Sequence, residues 1–183
     1  MLDLKTGRFV INAEKGWELH PFMTREEFMA SDFFKSEHLV KRDSYVNRSI
    51  FDFCDVDIDG YKMWVSVFLE FDIHKEYEYV EKIVLCSNDA LDFYDRPYDS
   101  TWRESAFEVK RLHDEFLLHE TGLDKVCIDE SKIENQFSVD WGDFNSSICL
   151  MHQPVIEITI NYDNLTEEDC AELDKEIEED DDL

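Results

Sequence analysis

Two segments of this chain alternate apolar and polar residues with a period of two, and this alternation constrains the fold more than any other feature. From 156 to 162 every even position is isoleucine or tyrosine, and the odd positions between them are Glu157, Thr159 and Asn161. From 62 to 71 every odd position is apolar, whereas the even positions mix Trp64 and Phe68 with polar residues. Because successive side chains of a strand point to opposite faces, this pattern predicts an antiparallel sheet with one buried and one wetter face.

Further segments have the composition of strands, namely 48–56, 79–87, 135–141 and 144–151. A hairpin is also expected within residues 2–11, with Lys5-Thr6-Gly7 in its turn. The sequence thus predicts a sheet of about six to eight strands.

The longest predicted helix covers residues 101–121. Its apolar residues recur at spacings of three and four, which is typical of a helix that covers a sheet. That stripe consists of Trp102, Ala106, Val109, His113, Phe116 and Leu117. Ser100 is a candidate N-cap, and Gly122 is placed where a left-handed residue ends a helix.

A short helix is predicted over residues 25–31. Thr24 and Glu27 have the spacing of a capping box, in which each side chain accepts a hydrogen bond from the other residue's backbone. Phe28 and Met29 should face inward. The predicted fold class is α+β, with the long and the short helix packed on one face of a single antiparallel sheet.

The chain is strongly acidic: 45 Asp and Glu residues outnumber 18 Lys and Arg residues, a formal net charge of −27 on 183 residues. Hydrophobic residues make up 43% of the chain, enough for a core, so the charge does not predict global disorder. We expect one domain, 1–165, and an acidic tail, 166–183, that is partly helical and then disordered. The tail either aids solubility as a solvated segment or contacts a basic partner.

The five cysteines are scattered and form no Cys-x-x-Cys pair, which favours free thiols over disulfides or a zinc site. The first residues lack the pattern of a signal peptide, and no apolar run approaches the roughly 18 residues of a membrane span. We expect a soluble cytoplasmic protein that does not bind membranes.

The segment Asp55–Gly60 has the D-x-D-x-D-G opening of a calcium-binding EF-hand loop. That loop requires a glutamate at its twelfth position, which is Ser66 here, and a strand rather than a helix is expected to follow. The sequence therefore favours a solvated acidic hairpin turn, and we expect no metal site.

No motif for a catalytic nucleophile, a phosphate-binding loop or a metalloprotease helix is present. His113 lies on the apolar stripe beside Asp114, and we interpret it as a core histidine bonded to a backbone carbonyl or a neighbouring acid. A catalytic acid–base role for His113 is the alternative. We predict no catalytic residue and no cofactor. The basic residues do not cluster, so direct nucleic-acid binding is disfavoured.

Several short motifs occur in order along residues 2–162. They are Leu4-Lys5-Thr6-Gly7, Met23-Thr24-Arg25-Glu26-Glu27-Phe28, Asp59-Gly60-Tyr61, Ser100-Thr101-Trp102, His113-Asp114-Glu115-Phe116-Leu117, Trp141-Gly142 and Ile158-Thr159-Ile160-Asn161-Tyr162. This set resembles a family of small uncharacterised bacterial proteins associated with toxin–immunity loci. The resemblance implies a compact α+β domain without assigned catalytic residues. The chain departs from the family pattern at Phe22, where glycine is expected, and at Phe116, where tryptophan is expected.

These features predict an acidic binding protein rather than an enzyme, namely an immunity protein or inhibitor that neutralises a basic toxin or nuclease domain. The predicted contact patch lies in the loop 89–99 and comprises Asp89, Asp92, Phe93, Tyr94, Asp95, Tyr98 and Asp99. Trp17 is a further candidate for an exposed aromatic that contributes affinity. One alternative is a polyanion that mimics DNA and blocks a DNA-binding protein. A second alternative is an enzyme whose site lies near His113.

Overall fold

A seven-stranded antiparallel sheet forms the centre of the molecule, and a separate two-stranded sheet lies in the N-terminal segment. The computed structural model describes residues 1–44, 48–72, 77–91, 100–149 and 155–162. The strands are β1 (Phe9–Asn12), β2 (Trp17–Leu19), β3 (Leu39–Ser44), β4 (Arg48–Ile58), β5 (Tyr61–Asp72), β6 (Tyr77–Ser87), β7 (Glu134–Val139), β8 (Gly142–Cys149) and β9 (Val155–Asn161). The helices are α1 (Arg25–Ala30), α2 (Asn88–Leu91), α3 (Ser100–Thr121) and a single 3-10 turn (Lys125–Cys127). This architecture confirms the predicted α+β class.

The large sheet has the strand order β3-β4-β5-β6-β9-β8-β7, and every neighbouring pair is antiparallel. The strands β3 to β6 follow one another directly. After β6 the chain passes through α3 to the far edge at β7, and it then returns through β8 so that β9 pairs with β6. Helix α3 packs against β8 and β9, and to a smaller extent against β6.

Both main helices pack on the same face of this sheet, as the alternation predicts. Phe28 of α1 contacts Phe51 and Phe53 of β4, whose register places them on the face of the odd-numbered residues of β5. Ser146 of β8 is paired with Ile158 of β9 and hydrogen-bonds to α3, so α3 covers the same face. The opposite face carries half-buried residues such as Trp64 and Phe68.

The predicted ends of the helices agree closely with the structure. Thr24 and Glu27 form the capping box: the Glu27 amide donates to the Thr24 hydroxyl at 3.2 Å, and the Thr24 amide donates to the Glu27 carboxylate at 2.7 Å. Gly122 ends α3 at φ +68, where its amide donates to the Leu118 carbonyl. Ser100 is the first residue of α3 rather than its cap, so the helix begins one residue before the predicted start.

The N-terminal hairpin prediction is only partly correct. The chain does reverse at Lys5–Gly7, because the Asp3 carboxylate accepts the Lys5 amide at 2.8 Å and Gly7 takes φ +72. However, Leu2 and Phe9 form a single bridge rather than part of a strand pair, and the Leu2 amide donates to the Glu120 carbonyl of α3. Strand β1 instead pairs with β2, and neither β2 nor β3 was predicted as a strand.

Within the part of the chain that the structure describes, no helix is long and apolar enough to cross a membrane.

Candidate functional site

Of the predicted contact patch, Asp89 lies within the described residues. It is exposed in the first turn of α2. The remaining predicted members are Asp92, Phe93, Tyr94, Asp95, Tyr98 and Asp99, and they lie outside the described residues, as does the acidic tail 166–183. The structure therefore places one predicted residue and shows what surrounds it.

The β4–β5 turn lies directly beside Asp89. The side-chain amide of Asn88 donates to the Asp55 carboxylate at 3.0 Å, which ties α2 to this turn. Asp55, Asp57 and Asp59 are all exposed there. This acidic segment lies about 30 residues before Asp89 in the sequence, and only the fold brings the two together.

A cavity of about 260 Å³ separates the turn from α2 and α3. We call it the turn pocket, and it is lined by Gly60, Tyr61, Lys62, Met63, Ser87, Asn88, Asp89, Leu112 and His113. Leu112 is 43% exposed, one of few large apolar side chains that the described surface leaves open. An apolar centre within a charged rim is the usual anatomy of a protein-binding surface.

Local backbone conformation determines where the acidic side chains of the β4–β5 turn point, beside the turn pocket. Asp55 and Asp59 have positive φ values of +52 and +49, and the β4–β5 pairing shifts register between Phe53 and Val56. Aspartate tolerates the left-handed region better than most residues, so an acidic sequence suits such a turn. The irregular backbone re-aims side chains that regular alternation would place elsewhere.

Asp57 is held as an anion. Its carboxylate pairs with the Lys62 ammonium at 2.9 Å and accepts the Gly60 amide at 2.9 Å. The hydrogen bond with Lys62, followed by that from Gly60, lowers the pKa of Asp57 below its ordinary value. The turn therefore keeps its negative charge at neutral pH, although Lys62 offsets part of it.

His113 and Ser87 form the floor of the turn pocket, and they decide whether the pocket has catalytic character. His113 has no exposed surface. Its Nε2 accepts the Ser87 backbone N–H at 3.1 Å and lies 3.0 Å from the Ser87 hydroxyl. Among the described residues, its Nδ1 has no hydrogen-bond partner.

This geometry does not favour base catalysis. Nε2 must be unprotonated to accept the Ser87 amide, so the proton lies on Nδ1 and the ring is neutral. Burial, and next the charge of Lys110, lowers the pKa of His113 to about 3. A general base works best with a pKa near the operating pH, and an activated serine needs a free imidazole lone pair. The histidine is thus a core residue as predicted, but its partner is an amide rather than a carbonyl or an acid.

A second, larger cavity of about 650 Å³ lies at the N-terminal turn. It is lined by Asp3, Lys5, Thr6, Arg8, Glu18, His20, Pro21, Phe22, Asp140 and Trp141. Arg8 is paired with Glu18, so acids and bases offset each other here. Because this charge pattern selects no single sign of ligand, we take the turn pocket as the candidate site despite its smaller volume.

Phe22 on this second cavity adopts φ +62, a left-handed conformation that is strained for an aromatic residue. The resemblance described above predicts glycine at this position, a residue that adopts this conformation without strain.

Trp17 does not belong to a contact surface, so its prediction as an exposed aromatic is wrong. It is 7% exposed, and its ring packs against Phe33 at 5.5 Å and His38 at 5.6 Å. The position is buried because β2 folds back onto the core.

The described cysteines are free thiols. Cys86 is buried, and burial raises the pKa of its thiol to about 12, which makes it an inert packing residue. Cys54 is half-buried and Cys127 is exposed.

Comparison of the chain with protein-family models, with curated proteins and with solved structures finds no match.

Proposed function

We propose that this protein is a cytoplasmic immunity protein or inhibitor that neutralises a basic toxin or nuclease domain. The observation that carries the proposal is the turn pocket, which Asp89 and the half-exposed Leu112 line and beside which the β4–β5 turn presents three more exposed aspartates. The four aspartates are Asp55, Asp57, Asp59 and Asp89.

Charge and shape have separate roles in this proposal. A field of opposite sign speeds the encounter with a basic partner and selects against acidic ones. Burial of Leu112 and Tyr61 on docking supplies affinity that salt does not screen. The formal net charge of −27 adds long-range attraction to the local acidic rim.

The arrangement at His113 supports binding over catalysis. The imidazole at the pocket floor accepts the Ser87 backbone N–H with its only lone pair, so His113 is not free to act as a base for the Ser87 hydroxyl beside it. A pocket whose buried imidazole is already engaged by a backbone amide is better suited to receive a side chain of a partner than to turn over a substrate.

The first test is capture of partners from a lysate of the source organism, with the protein as bait, at low salt and again at about 0.5 M salt, where the Debye length falls to roughly 4 Å. The proposal expects one basic protein that stays bound at high salt. Loss of many basic proteins together as salt rises would indicate a non-specific polyanion and contradict the proposal. Competition of the captured protein with duplex DNA would favour the DNA-mimic alternative.

Matched charge variants then locate the interaction. The pocket variant replaces four acids by their amides: Asp55→Asn, Asp57→Asn, Asp59→Asn and Asp89→Asn. The control variant removes the same charge elsewhere on the exposed surface: Glu14→Gln, Glu26→Gln, Asp32→Asn and Glu37→Gln. Both proteins have the same net charge, so weaker capture by the pocket variant alone identifies the site.

A further inference from the structure

A histidine and two carboxylates meet where the β4–β5 turn approaches the last turn of α3. The ligand atoms of Asp59, His119 and Glu120 all lie within 4.8 Å of one another. Asp59 reaches this position because it takes φ +49 in the turn, and His119 and Glu120 are consecutive residues of α3. The sequence offers no metal-binding motif here, since Asp59 lies 60 positions before His119.

The environment of Glu120 is unusual. The residue is 2% exposed, which is rare for a carboxylate. Its Oε2 is in ionic contact with the α-ammonium group of Met1 but makes no hydrogen bond. Its Oε1 faces His119 Nδ1 at 3.1 Å. One carboxylate oxygen thus contacts the N-terminus, and the other faces the imidazole of His119.

The spacing fits a metal ion. Two ligands that each lie about 2.0–2.1 Å from one Zn²⁺ at tetrahedral angles are roughly 3.3 Å apart. The 3.1 Å between His119 Nδ1 and Glu120 Oε1 is close to that value. Asp59 is exposed, so a change of its side-chain rotamer can bring its carboxylate closer at little cost.

Charge also favours a cation at this position. Two carboxylates within 4.8 Å repel each other, and the Met1 ammonium offsets only part of their charge. Imidazole together with carboxylate suits Zn²⁺, Co²⁺ or Mn²⁺ rather than the all-oxygen shell that Ca²⁺ requires.

We propose that Asp59, His119 and Glu120 form a three-ligand site for a divalent transition-metal ion of the Zn²⁺ class. The ion would fasten the β4–β5 turn to the end of α3 and leave a coordination position open to solvent or to a partner. Without metal, the contact between His119 and Glu120 is a hydrogen bond. This inference does not depend on the proposed function, because it concerns the isolated protein.

Calorimetric titration with Zn²⁺, and absorption spectroscopy with Co²⁺, test the proposal on the full chain. The wild-type protein should bind one equivalent of either ion. His119→Ala and Asp59→Asn should each weaken binding by roughly tenfold or more, and His20→Ala should leave it unchanged. His20 is a suitable control because it is a half-buried histidine whose Nδ1 contacts the Pro21 carbonyl.

Thermal unfolding gives a second readout. Zn²⁺ should raise the Tm of the wild-type protein and not that of His119→Ala, whereas in EDTA the two proteins should have the same Tm. The proposal is overturned if the wild-type protein shows no saturable binding. It is equally overturned if His119→Ala and Asp59→Asn both bind the ion as tightly as the wild type.

Discussion

Under α1 the covered face of the sheet is filled by aromatic rings, whereas under α3 it encloses a network of buried charged and polar groups. Near α1, Phe33 stacks on Phe53 at 4.2 Å and Phe28 packs against Phe51 at 5.4 Å. Near α3, Lys110 is 1% and Asp114 2% exposed. Two parts of one core thus rely on different chemistry.

Asp114 is the centre of the polar part. It pairs with Lys110 at 2.9 Å, and it accepts hydrogen bonds from the Asn135 amide at 3.2 Å and from the Ser146 hydroxyl. A buried ion pair adds little net stability over well-packed apolar residues, because desolvation offsets the attraction. Its members nevertheless depend on one another, since removal of one leaves an unpaired buried charge. The aromatic part has no such dependence, and each ring contributes through its own contacts.

The largest expected effect follows from breaking this network. Asp114→Ala leaves the Lys110 ammonium buried without its partner and should lower the free energy of unfolding by about 3–5 kcal/mol. The double variant Lys110→Met/Asp114→Leu removes both charges and should recover most of that loss. Urea denaturation of both proteins checks this, and a double variant no more stable than Asp114→Ala would contradict mutual dependence.

The aromatic part should respond differently. Phe28→Ala removes a ring that contacts Phe34, Phe51 and Phe53 and should cost about 3 kcal/mol. This is the lower end of the range for such substitutions, because the six-residue α1 can shift to fill part of the cavity. This loss of stability has no counterpart to the Lys110/Asp114 double variant, because the aromatic cluster contains no charged partner whose removal could restore it. A cost below about 1 kcal/mol would show that the ring is not a principal part of the core.

The polar part should also make stability depend on pH. The pKa of His113 is lowered to about 3 in the folded protein, whereas an unfolded histidine titrates near 6.5. Between these values the unfolded state binds the additional proton, so stability is lost as pH falls below about 6.5. At pH 5 the loss from this group should be about 2 kcal/mol.

His113→Gln isolates that contribution, since it removes the titrating group and retains an acceptor for the Ser87 amide. Urea denaturation at pH 7 and pH 5 should show a smaller decrease for the variant than for the wild-type protein. Equal decreases in both proteins would mean that carboxylates alone cause the acid sensitivity.

The smallest expected effect concerns the Ser87 hydroxyl. If the backbone N–H is the main partner of His113, Ser87→Ala should lower the free energy of unfolding by less than about 1 kcal/mol. The same variant should bind the captured partner as the wild type does. If Ser87→Ala abolished a chemical activity on a partner or substrate, that result would instead support the enzyme alternative.

The aromatic part of the core follows from the sequence more directly than the polar part does. Period-two alternation places Val65, Val67 and Ile158 on the buried face, and the capping box at Thr24 places Phe28 toward them. These are local signals, because each depends on residues within a few positions. Six of the seven strands of the large sheet, all except β3, and both main helices could therefore be predicted.

The polar part depends on contacts distant in sequence. Lys110 and Asp114 look like residues of a solvated helix face, and their burial is compensated by Asn135 and Ser146 from β7 and β8. The candidate site has the same character, since the Asp55–Asp59 turn meets Asp89 through a fold contact between Asn88 and Asp55. Short-range patterns contain no information on such pairings, which explains why only Asp89 of this site was expected.

The most direct measurement of the central claim is the association rate constant of the captured basic partner with the wild-type protein, the pocket variant and the control variant. The measurement is made by stopped-flow fluorescence at low and at high salt, with EDTA present so that only charge is varied. At low salt the pocket variant should associate about tenfold more slowly than the wild type, and the control variant within about twofold of it. Equal slowing of both variants would show that total charge, and not the turn pocket, recognises the partner.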